Sequence, residues 1–324
     1  MSPRPDSCFP ASLARHRDNT PRAIIPPLPP DSCSVYTDEN LPGTAAREEL
    51  WVLLEHPGNW GHDIFDGHAF EGEASIKLKQ KIVDAGARLL LIRRPGREGQ
   101  LAKITGEFTA FIADTKRNQL FTFTVQEPSD LLGLPLDRPS LIPGVKRSNQ
   151  VLMLLCTHAK RDRCCALRGR PIAGFLAEKL APHTVWECSH TGGHRFAPVG
   201  LLMPSGYTYG RLSPESALTT VQFMADRGIP ATTGLRGRSS LTPPEQAAEF
   251  YVRRALEEAG EVAGIDELTI TAHRNNLGAT VTHSDGRRWS ISLRQKQLPP
   301  RPNSCGKTET PAKSWMLESL EQVL

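Results

Sequence analysis

The sequence has no apolar run approaching the roughly 20 residues that a bilayer-spanning helix needs, so no membrane partner is expected. It also lacks any run of lysine and arginine. A net charge of +4 over 324 residues, with acids and bases intermixed, argues against the concentrated basic face of a dedicated nucleic-acid binder. The opening "MSPRPDSCFPASLARHRD" has no continuous apolar segment of the kind found in secretory signals. There are no heptads and no strict internal repeat. The glycines of "GLRGRSS" have neither the spacing nor the flanking strand of a phosphate-cradling or dinucleotide-binding loop. No pair of carboxylates stands in a defensible glycosidase arrangement.

Cysteine is present, in an odd number and in clusters. The seven cysteines are not spaced as a disulfide framework, and three fall within "LLCTHAKRDRCC". Without a secretory signal, the expected location is the reducing cytoplasm, where clustered Cys and His more often mean metal or redox chemistry than structural staples.

Along the chain, residues 1–42 are rich in Pro, Ser and Arg and read as a mostly disordered tail, with Cys33 near its end within reach of the domain. From 43 to about 240 the pattern is α/β. "WVLLE", "RLLLIRR" and "LFTFTV" read as strands, and "ASIKLKQKIVDAG" as a helix burying Ile76, Leu78, Ile82 and Val83 and ending at Gly86. The style continues in 148–230. "QVLMLLCT" is a buried strand ending at Cys156, and "IAGFLAEKLA" is a helix stopped by Pro182. "TVWECSH" is a strand with His190 at its end, and "APVGLLMPSGYTYGRL" is a hairpin turning at Pro204-Ser205-Gly206. Ser213-Pro214-Glu215 has the order that opens a helix. Residues 241–324 form a third unit: a helix capped by Thr242 and Glu245, three strands ("ELTITAH", "GATVTHS", "RRWSISLR") and an irregular tail containing "PPRPNSCGK".

Functional groups in α/β sheets gather where strands end. Cys156 and His190 both fall at such ends; Cys165 lies nine positions past the first and His194 four past the second. Gly192 and Gly193 let the backbone fold tightly between the histidines. Two thiolates and two imidazoles suffice for one tetrahedral zinc or for both irons of a 2Fe-2S cluster. Structural zinc sites usually space their cysteine pair two to four residues apart, whereas the wide interval here suits a larger inorganic object. Cys164 competes with Cys165, because adjacent side chains point in different directions. Buried thiols in a core and histidines in a turn are the plain structural alternative.

"CTHAKRDRCC", "HTGGHRFA" and "MPSGYTYGRL", with the earlier "WVLLEHPGNWG" and the late "SCG", resemble the sucrase/ferredoxin-like family of thioredoxin-like ferredoxins. The resemblance runs from about Cys33 onward. It implies a thioredoxin-like sheet-and-helix architecture with a small C-terminal α+β unit. In the His-containing branch it also implies a 2Fe-2S cluster held by C-x8-C and H-x3-H, which here are Cys156, Cys165, His190 and His194, with Cys164 the alternative to Cys165.

With all four positions held by protein, such a cluster accepts and releases one electron. The expected role is an electron carrier served by a separate reductase, rather than an enzyme with its own substrate. Neutral imidazoles raise the potential relative to an all-cysteine cluster, and their outer nitrogens would make it pH-dependent. Two other readings stay open: a zinc-stabilised binding module, and a thiol–disulfide oxidoreductase using Cys164-Cys165, whose vicinal ring would be strained. Arg161, Arg163 and Arg195 are candidates for offsetting cluster charge or docking an acidic partner, against a reading as solvated loop charges. His158 is expected to support the site without ligating, and Cys188 to fill core. Tyr207 and Tyr209 should share a face, shielding the site or filling core. Cys8 and Cys305 carry no assignment.

Overall fold

Apolar β-forming runs separated by amphipathic helices build the framework, and their order sets where the site falls. The computed structural model describes residues 25–103 and 106–323. The first half contributes β1 (Leu50–Glu55), α1 (Gly72–Asp84), β2 (Ala87–Arg93), the short α2 (Gly96–Leu101), β3 (Phe108–Asp114), β4 (Gln119–Val125) and β5 (Lys146–Ser148). The second contributes β6 (Leu152–Cys156), α3 (Arg163–Lys179), β7 (Val185–Cys188), β8 (Gly200–Met203), β9 (Tyr207–Tyr209), α4 (Pro214–Arg227) and β10 (Leu235–Arg238). All ten strands join one sheet in the order β10-β9-β8-β6-β7-β2-β1-β3-β4-β5. The fold is α/β.

That order contains an internal duplication invisible as a sequence repeat. In the second half β6 and β7 are parallel, β8 is antiparallel to β6 and β9 to β8. This β-α-β-β-β-α run is the thioredoxin-like arrangement. In the first half β1 and β2 are parallel, β3 is antiparallel to β1 and β4 to β3. The halves meet edge to edge where β2 pairs antiparallel with β7, at Ile92↔Cys188 and Arg93↔Glu187. Corresponding amides make corresponding bonds: His56 N donates to Ile92 O (2.7 Å) and Thr157 N to Cys188 O (3.1 Å). Because the overlap lies at the C-terminal ends of β2 and β7, the parallel strands of both halves end toward the seam.

The seam is locked by charge as well as by backbone. Buried Glu187 accepts from Arg93 Nε (3.0 Å) and Thr157 Oγ1 (3.0 Å). Beneath it, Trp51, Leu53, Leu90 and Phe111 of the first half share one apolar cluster with Leu152, Leu154, Trp186 and Phe196 of the second. Burying such side chains is the main favourable contribution to folding, about 1.5–3 kcal/mol each.

The C-terminal unit comprises α5 (Pro243–Glu258), β11 (Leu268–Ala272), β12 (Gly278–His283), β13 (Arg288–Pro302) and β14 (Glu309–Val323). Its strands form an antiparallel sheet in chain order. It is anchored to the large sheet by Glu249 of α5, which accepts from Tyr207 Oη and pairs with Arg253 (3.0 Å) and Arg238 (3.3 Å). Tyr207 and Tyr209 fill the core between the large sheet and α3 and α4 rather than shielding the metal-site candidates.

Four expectations are corrected. The tail read as irregular beyond the third strand is a long hairpin, β13–β14, whose bulge between Leu298 and Arg301 accommodates the prolines. The strand "FTAFIAD" (β3) adds to those the sequence pattern marks. The residues of α1 on its buried stripe are Ser75, Leu78 and Ile82, whereas Ile76 and Val83 are 71% and 62% exposed. The stretch expected as disordered to residue 42 is, from Ile25 onward, laid against the domain: Cys33 is fully buried, Asp38 pairs with Arg301 (2.6 Å), and Glu39 with Arg195 (2.7 Å). Polar anchoring there replaces the apolar burial that its composition denies it. Residues 1–24, including Cys8, lie outside the described residues. No helix among the described residues is long and apolar enough to cross a membrane.

Candidate metal centre

Two side chains come from the end of β6 and the start of α3. Cys156 is the last residue of β6 and 1% exposed. The stretch read as a loop reaching past Cys165 ends at Asp162, which caps α3 by accepting from Cys164 N (2.9 Å). Cys164 and Cys165 therefore occupy the first helical turn, about 100° apart around its axis. Cys165 turns inward to Cys156. Cys164 turns the other way, to 3.8 Å from Cys33 Sγ. The sequence left these two competing for one place; the helix sends them to different places, and a vicinal dithiol centre loses its pair.

The other two arrive from the loop after β7. His190 is half-buried, and its Nδ1 lies 4.0 Å from Cys156 Sγ. Ligand atoms of Cys156, Cys165 and His190 all lie within 4.8 Å of one another. His194 opens a 3-10 turn (His194–Phe196); its ring centroid is 4.6 Å from that of His190, with the planes tilted by 30°. It stands beside the trio, and its buried Nδ1 has no hydrogen-bond partner. Between the histidines, Gly192 and Gly193 take φ of +99° and +76°. A Cβ on Gly193 would strike the guanidinium of Arg236. That guanidinium donates to Thr44 Oγ1 (3.0 Å), Gly192 O (3.1 Å) and Thr44 O, tying the loop to the segment ahead of β1.

The electrostatics prepare Cys156 and His194, but not Cys165, in the forms that bind metal. Hydrogen bonding with Cys165, and then with His190, holds Cys156 well below the ordinary thiol value against its burial. The same contact with Cys156, reinforced by burial, pushes Cys165 well above it. Burial and then the neighbouring His190 push His194 down to about 4, keeping it neutral near pH 7. A low-pKa thiol and a neutral imidazole are the forms that bind metals.

The surroundings come from both halves of the sheet. His158 is buried, with Nε2 2.8 Å from Gly61 O and its ring edge-on to Trp60. Arg88 of β2 donates to His190 O (2.8 Å). His62, Val83, Arg88, His158, Arg161 and His190 line a cavity of about 320 Å³, so His190 is the member of the group facing an opening. Arg163 pairs with Asp31 and Arg195 with Glu39, which makes them straps for the N-terminal segment; Arg161 stays at the cavity. Cys188 is fully buried in the apolar cluster under the seam.

A family model described as sucrase/ferredoxin-like matches residues 41–237. The chain belongs to the sucrase/ferredoxin-like family. The match spans both halves of the ten-stranded sheet, ends within β10, and includes Cys156, Cys164, Cys165, His190 and His194. No curated protein and no solved structure matches the chain.

Proposed function

We propose that this sucrase/ferredoxin-like protein is a one-electron carrier holding a 2Fe-2S cluster on Cys156, Cys165, His190 and His194. The observation that carries the reading is the convergence of the Cys156, Cys165 and His190 ligand atoms within 4.8 Å, with the His194 ring packed on His190. The residues fit the group: two thiols, two imidazoles, and a buried ring nitrogen of His194 that lacks any partner. Leaving such a nitrogen unpaired costs about 1–3 kcal/mol, which ligation would offset. When bound, the cluster would supply reversible one-electron chemistry.

The chain's own residues would fix and shield it. Gly192 and Gly193 bend the loop so that the two rings pack together, and Arg236 clamps that bend. Arg88 anchors the His190 carbonyl, while Trp60 and His158 wall off one side. The half-exposed His190, at a cavity with Arg88 and Arg161, is where a separate reductase or acceptor with an acidic face would approach. Six free thiols among the described residues support a reducing, cytoplasmic setting.

The test is purification without oxygen, followed by iron, acid-labile sulfide and zinc analysis and a visible spectrum. Red-brown protein with two irons and two sulfides per chain, lost in Cys156→Ser, is expected. Colourless protein whose only metal is held by Cys156 and Cys165 would overturn the proposal. Replacing His194 by Cys should retain a cluster of lower potential.

A further inference from the structure

Cys164 points away from the centre above, into a second group of metal-type donors. Its companions come from distant parts of the chain. Cys33 sits in a 3-10 turn (Cys33–Val35) of the N-terminal segment, Asp162 is the cap of α3, and Cys305 lies at the tip of the β13–β14 hairpin. Their ligand atoms all fall within 4.8 Å of one another. Cys33, Asp162 and Cys164 are buried and Cys305 is partly so.

We propose that Cys33, Cys164, Cys305 and Asp162 form a second, separate centre that binds one zinc ion and pins the N-terminal segment and the tip of the β13–β14 hairpin to α3. The sulfur–sulfur separations are 3.8 Å (Cys33–Cys164), 3.2 Å (Cys164–Cys305) and 3.6 Å (Cys305–Cys33). Asp162 Oδ2 lies 3.4 Å from Cys33 Sγ, and the other carboxylate oxygen, Oδ1, lies 3.4 Å from Cys305 Sγ. A tetrahedral zinc with bonds of about 2.3 Å to sulfur and about 2.0 Å to oxygen has edges of about 3.8 Å and about 3.5 Å respectively. The three sulfurs thus approximate one face of the tetrahedron that zinc requires, with the Asp162 carboxylate against two of them, and they come from three segments that share no sequence motif.

The support around the donors is of the kind that orients ligands. Asp162 accepts from Cys305 N (2.8 Å), Ser304 Oγ (2.9 Å) and Cys164 N (2.9 Å), which fixes the carboxylate. Arg163, paired with Asp31, also reaches the Cys305 thiol and offsets part of the charge of three thiolates and a carboxylate. On binding, the metal displaces the three thiol protons to solvent, and no electron moves. The site closes a link between residues 33 and 305, a loop long enough that cross-linking it restricts the unfolded chain strongly. It adjoins the first centre, since His194 Nε2 lies 4.0 Å from Asp162 Oδ2.

The experiment is metal analysis of the full-length chain, purified without chelator, beside the variants Cys33→Ser, Cys305→Ser and Cys156→Ser. The expected result is one zinc per chain in the parent and in Cys156→Ser, with zinc lost in Cys33→Ser and Cys305→Ser while their iron content stays unchanged. Ser304→Ala, which removes only a hydrogen bond to Asp162, should weaken zinc retention roughly tenfold. Cobalt added to the zinc-stripped protein should give the intense near-ultraviolet thiolate bands of a sulfur-rich site. If the serine variants do not fold, the cobalt spectrum of the parent still decides. Absence of zinc with no cobalt–thiolate bands, a disulfide between any two of the three cysteines, or zinc that disappears with Cys156 instead of Cys33 would each overturn the proposal.

Discussion

Gly193→Ala tests how the histidine loop is held. Gly193 has φ of +76°, and a left-handed backbone costs a residue with a Cβ about 1–2 kcal/mol. Gly192, at φ of +99°, faces the same kind of strain. Their surroundings differ. A Cβ on Gly192 would meet only the Ala46 methyl at 3.6 Å, an ordinary contact, whereas on Gly193 it would collide with the Arg236 guanidinium. Arg236 is 2% exposed, and although burial lowers it to about 9, it remains charged near neutrality. Shifting it forfeits at least one charged hydrogen bond, roughly 2–3 kcal/mol. Gly193→Ala should therefore be less stable than Gly192→Ala by about 2–3 kcal/mol, or roughly 3–5 °C in unfolding midpoint for a chain of this length. It should also lose metal from the first centre sooner. In an Arg236→Ala background the collision is gone, and the two alanine variants should differ by less than about 0.5 kcal/mol. Equal destabilisation in the parent, or a gap that survives removal of Arg236, would refute the reasoning.

Three further outcomes are expected. Cys165→Ser should abolish iron binding, whereas Cys164→Ser should leave it intact; metal analysis of the two variants decides, and the reverse partition would place the wrong cysteine in the centre. Burial opposes the charge of Glu249, but Arg238 and Arg253 overcome it and hold the carboxyl below its ordinary value. Its contribution is therefore complete above the unfolded-state value of about 4.3 and is lost as pH falls through the lower folded value. Glu249→Gln should be less stable at pH 7 and lack that loss on the acid side, measured by denaturant midpoints from pH 3 to 7. Glu187→Leu leaves Arg93 charged and buried at the seam, costing about 3–5 kcal/mol, whereas replacing both partners by apolar residues should recover much of the loss.

The strands carrying the site could be read directly, because "VLMLLC" and "TVWECS" are apolar runs ending in polar loops. The separation of Cys164 from Cys165 could not. "KRDRCC" is polar enough to pass for a loop, and only Asp162 followed by a long helical pattern marks the cap that puts the thiols on different sides. The β13–β14 hairpin was hidden by Pro299, Pro300 and Gly306, which read as irregular chain although the bulge absorbs the prolines. Cys33 and Cys305 lie 272 positions apart. No local spacing reports such a convergence, which arises only because the hairpin tip and the N-terminal segment meet on α3.

The duplicated sheet brings both halves to the border of a candidate site whose donors come from one of them. At the end of β1, the positions matching Cys156 and Thr157 are Glu55 and His56, and Ile92 matches Cys188. The first half thus keeps the backbone arrangement without the thiols at those positions. What it adds is enclosure: Arg88 donates to the His190 carbonyl, Gly61 O accepts from His158 Nε2, and Trp60 packs edge-on against that ring. These contacts cross the seam because antiparallel pairing of β2 with β7 brings the ends of both parallel strand pairs together. A single half would leave His190 and Cys156 beside open water on that side. If the proposed cluster is bound, Arg88, Trp60 and His158 would shield it on the first-half side and leave the cavity at His190 as its open face.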